Sequence, residues 1–191
     1  LFERIECGMG QEVTDYVESQ AFKSDFYSVP AHTKREEPIV VAVSAAQNQC
    51  ANTGVIVREG AEATVVIAAF AGDTADGAAP AGSDANASDA NASDANASGD
   101  ALPTSAALTR IVVEAGAKLH LIEMLGVNEG QQHLESVGLE VHQDAAVDVK
   151  QYALGGSTIG LGLTANLVGA RARLDLNNRY HATHEETLDI N

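Results

Sequence analysis

Large side chains and positive charge are both scarce in this chain. Aromatic residues make up 4% of the 191 residues and tryptophan is absent, so a core built on large rings is excluded. The 11 basic residues face 27 acidic ones, which gives a formal net charge of −16. A nucleic-acid partner is therefore not expected, because phosphate binding needs a basic surface. The densest basic pair, Arg171 and Arg173, reads as the solvated face of a strand.

Cysteines and long apolar runs are also few. The two cysteines, Cys7 and Cys50, lie in separate segments without CxxC spacing, which argues against a disulfide scaffold and a structural zinc site. No apolar run approaches the roughly 20 residues that a membrane span needs, and the N-terminus lacks a signal-peptide pattern. We therefore expect a cytoplasmic protein with no membrane partner. Because the chain opens at Leu1 without a Met, we also expect it to be truncated.

What the chain does have is a recurring unit, in which a Gly-Ala or Asp-Ala pair precedes alternating apolar and polar residues. The small pair suits a tight turn, and the alternation suits a half-buried strand. The copies start at Gly60, Gly116, Asp144 and Gly169, at intervals of 56, 28 and 25 residues. Removing the 34 low-complexity residues 72–105 from the first interval leaves 22. Such intervals predict an all-β fold, a parallel β-solenoid in which each coil stacks on the last.

Residues 72–105 are predicted to be a disordered acidic insert in an otherwise single domain, residues 1–191. Three tandem copies of SDANA begin at Ser83, and such small polar residues cannot offset the entropy lost on ordering. The repeats create glycosylation sequons that we expect to stay unmodified without a secretion signal, at Asn86, Asn91 and Asn96. The competing architecture is a Greek-key sandwich.

Outside the insert, most of the chain reads as strands. IVVAVSA, from Ile39, is a strong strand signal, residues 52–54 (NTG) read as a turn, and two strands are expected around each repeated pair. Residues 1–29 read as a strand, a glycine turn and then a second strand or a short helix. Almost nothing else predicts a helix.

Two motifs could suggest chemistry. The sequence HxxHEE places His181 and His184 before Glu185 and Glu186, but a spacing of three on an extended strand points side chains to opposite faces, so a shared metal site is weakly supported. The glycine-rich residues 154–162 (LGGSTIGLG) lack the lysine and helix of a phosphate loop. They are interpreted as turn residues between coils.

The remaining candidates are single residues. Cys7 and Cys50 are interpreted as ordinary, partly buried cysteines, since neither has an electropositive setting in the sequence. His120 and His142 alternate with apolar residues and are expected to face solvent or a satisfied polar row. No Ser, His and Asp form a nucleophile motif such as GxSxG.

Taken together, these repeats resemble the SufB/SufD family of the SUF iron–sulfur cluster assembly system. The segments that carry the resemblance cover most of residues 36–189. They are EEPIVVAVSA, VIVREGAEATVVIAAF, TRIVVEAGAKLHLIEML and VDVKQYALGGSTIGLGLTANLVGARARLDLNNRYHATHEETLD. The lack of cysteine along the central coils is closer to SufD.

The resemblance implies a right-handed parallel β-helix that pairs with a SufB-like paralogue and works with a SufC-like ATPase. The family's best-known cysteine, glutamate and histidine lie in later coils, near a Cys-Ser-His-Gly-like motif that has no counterpart here. We therefore assign no catalytic, cofactor-binding or metal residue, and an iron–sulfur cluster is implied only for the full complex.

The expected function is that of a non-enzymatic, SufD-like scaffold subunit. An uncapped end coil would also favour self-association, so a homo-oligomer is expected. The alternatives are a metal-dependent enzyme on a cupin-like barrel, using His181, His184 and a nearby glutamate, and a surface adhesion β-solenoid.

Overall fold

In the part of the chain that the structure describes, the regular elements are eleven parallel strands, one α-helix and one short 3₁₀-helix. The computed structural model describes residues 2–72, 102–156, 158–182 and 186–191. A 3₁₀-helix, Phe2–Arg4, and helix α1, Gly10–Gln20, precede the strands. The strands are β1 (Lys23–Val29), β2 (Ile39–Ser44), β3 (Cys50–Val57), β4 (Glu62–Phe70), β5 (Thr104–Val113), β6 (Lys118–Leu125), β7 (Gln132–Val141), β8 (Ala146–Ala153), β9 (Thr158–Leu167), β10 (Arg173–Tyr180) and β11 (Thr187–Ile190).

The strands alternate between two parallel sheets, so that the chain winds as a β-solenoid. Sheet A has the order β1-β3-β5-β7-β9-β11, and sheet B has the order β10-β8-β6-β4-β2. Every described strand pair is parallel and joins one coil to the next. The predicted solenoid is thus confirmed. The Greek-key sandwich and the cupin-like barrel are wrong, because both need antiparallel pairing.

Aliphatic side chains fill the lumen between the two sheets. Because side chains alternate along a strand, every second residue of each strand points into this core, as Val137, Leu139 and Val141 do on β7. Each such side chain lies beside its counterpart one coil away, for example Ile111 beside Leu139. Aliphatic residues therefore form rows that run from coil to coil along the lumen.

A left-handed residue marks the same corner of every coil, immediately before sheet B. It is His32, Gly60, Gly116, Asp144 and Arg171 in successive coils. Its backbone N–H donates to the next coil, as in Gly116 N to the Gln143 carbonyl at 2.8 Å. The alanine that follows it is buried at Ala61, Ala117 and Ala145. The corner therefore explains the repeated small pair in the sequence.

The register corrects two of the predicted spacings. Arg171, not Gly169, is the corner residue of the coil after Asp144, because Arg173 pairs with Ala146 and so places Arg171 level with Asp144. Arg171 therefore lies in a turn and not on a strand face. The coil that contains the insert spans 56 residues, since Glu62 pairs with Lys118. The next coil spans 28, since Lys118 pairs with Ala146. The insert therefore adds 28 residues to an ordinary coil of 28, instead of 34 residues to a coil of 22.

Three local predictions also need correction or limits. Residues 52–54 are part of β3 and do not form a turn. Most of the predicted insert, including the SDANA repeats and their sequons, lies outside the described residues. Its last two residues, Thr104 and Ser105, are described and begin β5. The turn prediction for residues 154–162 holds for the corner after β8, where Gly155 and Gly156 have φ of 121° and 139°. It is wrong for Gly160 and Gly162, which belong to β9.

The N-terminal residues 2–20, hereafter the strap, lie across the outer face of sheet A. The chain crosses the strands from β3, where the Phe2 ring lies over Gly54, to β9, where the backbone of Gly8 meets that of Gly162. Helix α1 then returns over β7, β5 and β3, burying Val17 among Cys50, Ala106 and Leu108. The strap covers the outer face of β5, which explains why β5 is buried on both faces.

The glycines under the strap predict a test of this packing. A Cβ at Gly162 would lie 2.4 Å from the Gly8 carbonyl carbon, so Gly162→Ala must push the strap outward. We expect a loss of about 1–3 kcal/mol in the free energy of unfolding, as for other overpacked sites. Denaturant titration, together with proteolysis of residues 2–20, measures both effects.

Gly126→Ala is the matched control, since its added Cβ would meet only the Leu154 Cβ at 3.6 Å, an ordinary contact. Equal stability and equal protease resistance in the two variants would contradict this placement of the strap.

Candidate functional site

Among the polar side chains that the described residues bury in the largely aliphatic lumen, five carry or directly contact a titratable group. They share complete or nearly complete burial, with 0–2% of each residue exposed: Ser105, Glu123, His133, Glu135 and Gln151. Burying charged or polar groups among aliphatic side chains is costly unless they are hydrogen-bonded or neutralised. This set, hereafter the lumenal cluster, is the most unusual feature of the core.

The strand register brings the cluster together from both sheets. On sheet A, Ser105 of β5 lies level with His133 of β7, and Glu135 follows on the same face of β7 because it is two residues further on. On sheet B, Glu123 of β6 lies level with Gln151 of β8. Since β6 ends and β7 begins on either side of one corner, the two halves meet beside the corner on the insert side.

Hydrogen bonds link the members of each half. Ser105 Oγ lies 2.9 Å from His133 Nδ1, and His133 Nε2 lies 3.2 Å from Glu135 Oε2. Gln151 Nε2 donates to both Glu123 oxygens, at 3.3 and 3.2 Å. Three buried side-chain oxygen atoms among the described residues lack a hydrogen-bond partner, and they are Thr109 Oγ1, Glu135 Oε1 and Asn178 Oδ1.

Burial sets the protonation states of the cluster. Desolvation raises the pKa of Glu123 well above its usual 4.5, and the nearby charge of Glu135 raises it further. Burial likewise raises the pKa of Glu135. Desolvation lowers the pKa of His133 from 6.5 to about 3, which a hydrogen bond to the Ser105 backbone opposes in part. A neutral imidazole beside neutral carboxylic acids is the state that a low-dielectric lumen favours.

The hydrogen-bonded series Ser105–His133–Glu135 has the residue types of a hydrolytic triad, but a substrate cannot reach it. All three residues have 0% exposure, so no substrate reaches the hydroxyl, whereas a triad serine must meet a carbonyl group. Within residues 2–72, 102–156, 158–182 and 186–191, no three His, Cys, Asp or Glu side chains are close enough to hold a metal ion. What the cluster can do is hold protons in the core.

Sequence analysis missed this cluster, although a signal for it was present. In QHLESVGLEV, His133 and Glu135 share their parity with Val137, Leu139 and Val141, which are buried. A polar residue at the buried parity of a strand marks an internal polar site once the inward parity is known. The same logic identifies Glu123 on β6.

A second candidate surface is the last coil, where inward-facing side chains are exposed. On β10 and β11, Leu176, Tyr180 and Ile190 are 52%, 66% and 44% exposed. On β2, in the first coil, the inward-facing Ile39 and Val43 are 1% and 0% exposed. The two ends therefore differ in side-chain exposure, although both have unpaired strand edges. The inward side chains of β2 are buried, whereas the last described coil, β10 and β11, hereafter the terminal coil, exposes apolar inward side chains.

The HxxHEE motif is only partly described. His181 is exposed after β10, whereas His184 and Glu185 lie outside the described residues. Glu186 accepts a hydrogen bond from the backbone N–H of Gly156 at 3.1 Å. Glu186 therefore contacts the glycine corner after β8.

The two cysteines and the two histidines singled out in the sequence have ordinary structural environments, as predicted. Cys7 and Cys50 are free and buried between the strap and sheet A, and desolvation raises the pKa of both thiols. His120 pairs with Asp148 at 3.5 Å, and His142 pairs with Glu140 at 2.9 Å.

Arg171 pairs with Asp144 across coils, with Nη2 2.7 Å from Oδ2. Arg173 begins β10 as an exposed residue, as predicted. None of these side chains joins the lumenal cluster.

The described residues thus define a parallel β-solenoid with a sealed polar cluster in its lumen and an open terminal coil. The family model described as "SUF system FeS cluster assembly, SufBD core domain" matches residues 78–191, more than half of the chain. No curated protein and no solved structure gives a match.

The chain belongs to the SufBD core-domain family, as the resemblance of its repeats implied. The match includes every strand from β5 onward and all five members of the lumenal cluster.

The lumenal cluster predicts how stability depends on pH. Because the pKa values of Glu123 and Glu135 are raised, the folded protein holds protons that the unfolded chain releases above about pH 4.5, so these groups make unfolding easier as pH rises. His133 acts in the opposite sense and only between its usual 6.5 and about 3. Above pH 6.5 the carboxyls alone determine the cluster's contribution. We expect Glu123→Gln to increase the free energy of unfolding there and to flatten its fall with pH.

Urea unfolding at a series of pH values between 6.5 and about 9 measures this slope. Glu129→Gln, which removes an exposed carboxyl from the loop before β7, controls for the change in net charge. An unchanged slope in Glu123→Gln, or a loss of stability above pH 6.5, would show that Glu123 is ionised in the folded state.

Proposed function

We propose that this chain is a non-enzymatic scaffold subunit of a SUF-type iron–sulfur cluster assembly complex. The observation that carries the proposal is the SufBD core-domain match over residues 78–191. The lumenal cluster also supports a scaffold over an enzyme, because its Ser105, His133 and Glu135 are sealed from substrate. The assembled cluster is the cargo of the complex, and no residue of this chain is assigned to it.

In this proposal the terminal coil is the surface that pairs with a SufB-like paralogue. A solenoid coil buries its inward face only against another coil. The exposed Leu176, Tyr180 and Ile190 offer that face, and a partner strand can extend either sheet from β10 or β11. The same surface would support the expected homo-oligomer when the paralogue is absent.

A SufD-like role is the finer part of the proposal. Its support is the position of the only two cysteines, Cys7 in the strap and Cys50 at the start of β3, which leaves the coils from β4 onward without a thiol. Energy for assembly would come from a SufC-like ATPase. A cytoplasmic location is proposed on the same family basis; no described helix is long and apolar enough to cross a membrane.

Pairing through the terminal coil predicts the effect of a charge placed there. Leu176→Asp puts a carboxylate where a partner's inward face would pack, and burying an unpaired charge is strongly unfavourable. We expect at least a tenfold weaker association with the SufB-like paralogue of the same organism, or about 1.4 kcal/mol. Co-purification and sedimentation of the pair measure the affinity.

Met124→Asp is the matched control. Met124 is 47% exposed, similar to Leu176, but it lies on the middle strand of sheet B, away from either end. Equal binding by the two variants would reject the terminal coil as the pairing surface. A wild-type chain that binds no SUF subunit would reject the proposed function itself.

A further inference from the structure

A polar cavity of about 400 Å³ lies between the strap and the outer face of sheet A. It is separate from the lumenal cluster and from the terminal coil. Its walls are Glu6 and Cys7 of the strap, with Thr14 and Glu18 from one face of helix α1. Arg110 of β5 and Thr164 of β9 form its floor.

A missing side chain opens the floor of this cavity. Arg110, Gly138 and Thr164 are level with one another on three neighbouring strands. A Cβ at Gly138 would lie 2.5 Å from the Glu6 carbonyl oxygen and 3.0 Å from Cys7 Sγ. The glycine therefore lets the strap lie close to β7 while leaving space between the Arg110 and Thr164 side chains.

Arg110 is incompletely satisfied in this setting. The residue is only 8% exposed, and its Nη2 donates to Glu18 Oε1 at 2.8 Å. Its Nε is buried and has no hydrogen-bond partner. A guanidinium offers five N–H donors in a planar fork, and a buried donor without an acceptor is costly. A carboxylate that binds the Nε–Nη2 edge would satisfy the fork in the bidentate geometry typical of arginine.

The charges around Arg110 restrict which carboxylate can enter. The chain carries a net charge of −16, so a simple anion is repelled. Glu6 and Glu18 line the same cavity and would attract a positive group on the ligand. A small zwitterion, with one carboxylate and one ammonium group, meets both demands, and the Thr14 and Thr164 hydroxyls are further polar partners.

We infer that this cavity binds a small α-amino acid, with its carboxylate on Arg110 and its ammonium group toward Glu6 and Glu18. The ligand's carboxylate reaches Arg110 Nε when the Glu18 carboxylate breaks its hydrogen bond with Arg110 Nη2 and turns to the ligand's ammonium group. Glu18 is free to do so because its side chain is 44% exposed. The inference does not depend on the proposed role in cluster assembly.

Calorimetric titration of the full chain with small α-amino acids, such as glycine, alanine and serine, tests the inference. We expect binding in the millimolar range or tighter by at least one of them. Acetate and methylamine, which carry only one of the two charged groups, are the comparison ligands and should bind at least tenfold more weakly. The inference is overturned if no amino acid binds at about 10 mM, or if acetate binds as well as the amino acid.

Cys7 provides an independent readout, since its thiol lines the cavity whereas Cys50 is 1% exposed. In a Cys50→Ser background, a saturating amino acid should slow alkylation of Cys7 at least threefold, and acetate should not. An amino acid that binds without protecting Cys7 would place its site elsewhere and overturn the assignment.

Two substitutions of the floor localise binding. Arg110→Lys keeps the charge but loses the fork, and we expect at least a tenfold weaker affinity. Thr164→Val, which leaves the Arg110–Glu18 pair intact, should weaken binding by a smaller factor and tests the site if Arg110→Lys unfolds. Arg58→Lys, in an exposed pair with Glu114 at 3.1 Å, is the control. Wild-type affinity in both floor variants would overturn the inference.

Discussion

Stacking in register is the constraint on which the rest of this structure depends. A single coil has no partner for its aliphatic side chains, so each coil must place its inward residues level with those above and below. The corner residues fix this alignment. A left-handed residue followed by alanine turns the chain before sheet B, and its N–H donates to the adjacent coil, as from Gly60 to Ala115 at 2.9 Å. The pairing tolerates extra chain only at a corner, where added residues do not shift the strands. The 28 extra residues between β4 and β5 obey this rule.

The lumenal cluster breaks the aliphatic pattern that makes stacking favourable. Replacing buried polar networks with apolar residues is often neutral or stabilising, so Ser105, His133 and Glu135 are not explained by stability. They are tolerated because hydrogen bonds link their polar atoms and burial favours the neutral forms of His133 and Glu135. The cluster lies within the part of the chain that matches the SufBD core domain. The same part of the chain includes β10 and β11, whose inward-facing Leu176, Tyr180 and Ile190 are exposed.

Sequence predicted the architecture because stacking leaves a periodic signal, and it failed where the signal is not periodic. Alternation and the small pairs predicted the strands and the solenoid. The last corner was misplaced by two residues because Gly169-Ala170 has the same composition as the repeated pair, whereas the register aligns Arg171 and Ala172 with Asp144 and Ala145. The strap was only partly foreseen, since the glycines that receive it are spread over β3, β7 and β9 and meet only in three dimensions. The same holds for the lumenal cluster, whose members are up to 46 residues apart.

Disulfide trapping across the insert tests the stacked register most directly. Thr64 and His120 are paired on neighbouring strands of sheet B, and paired strand residues have the Cα separation that a disulfide requires. In a background with serine at both native cysteines, we predict that Thr64→Cys with His120→Cys cross-links on mild oxidation. Thr64→Cys with Met124→Cys should not cross-link, because Met124 lies on the same face of β6 but four residues beyond His120. Efficient cross-linking of the second pair, or none in the first, would contradict coils stacked in this register.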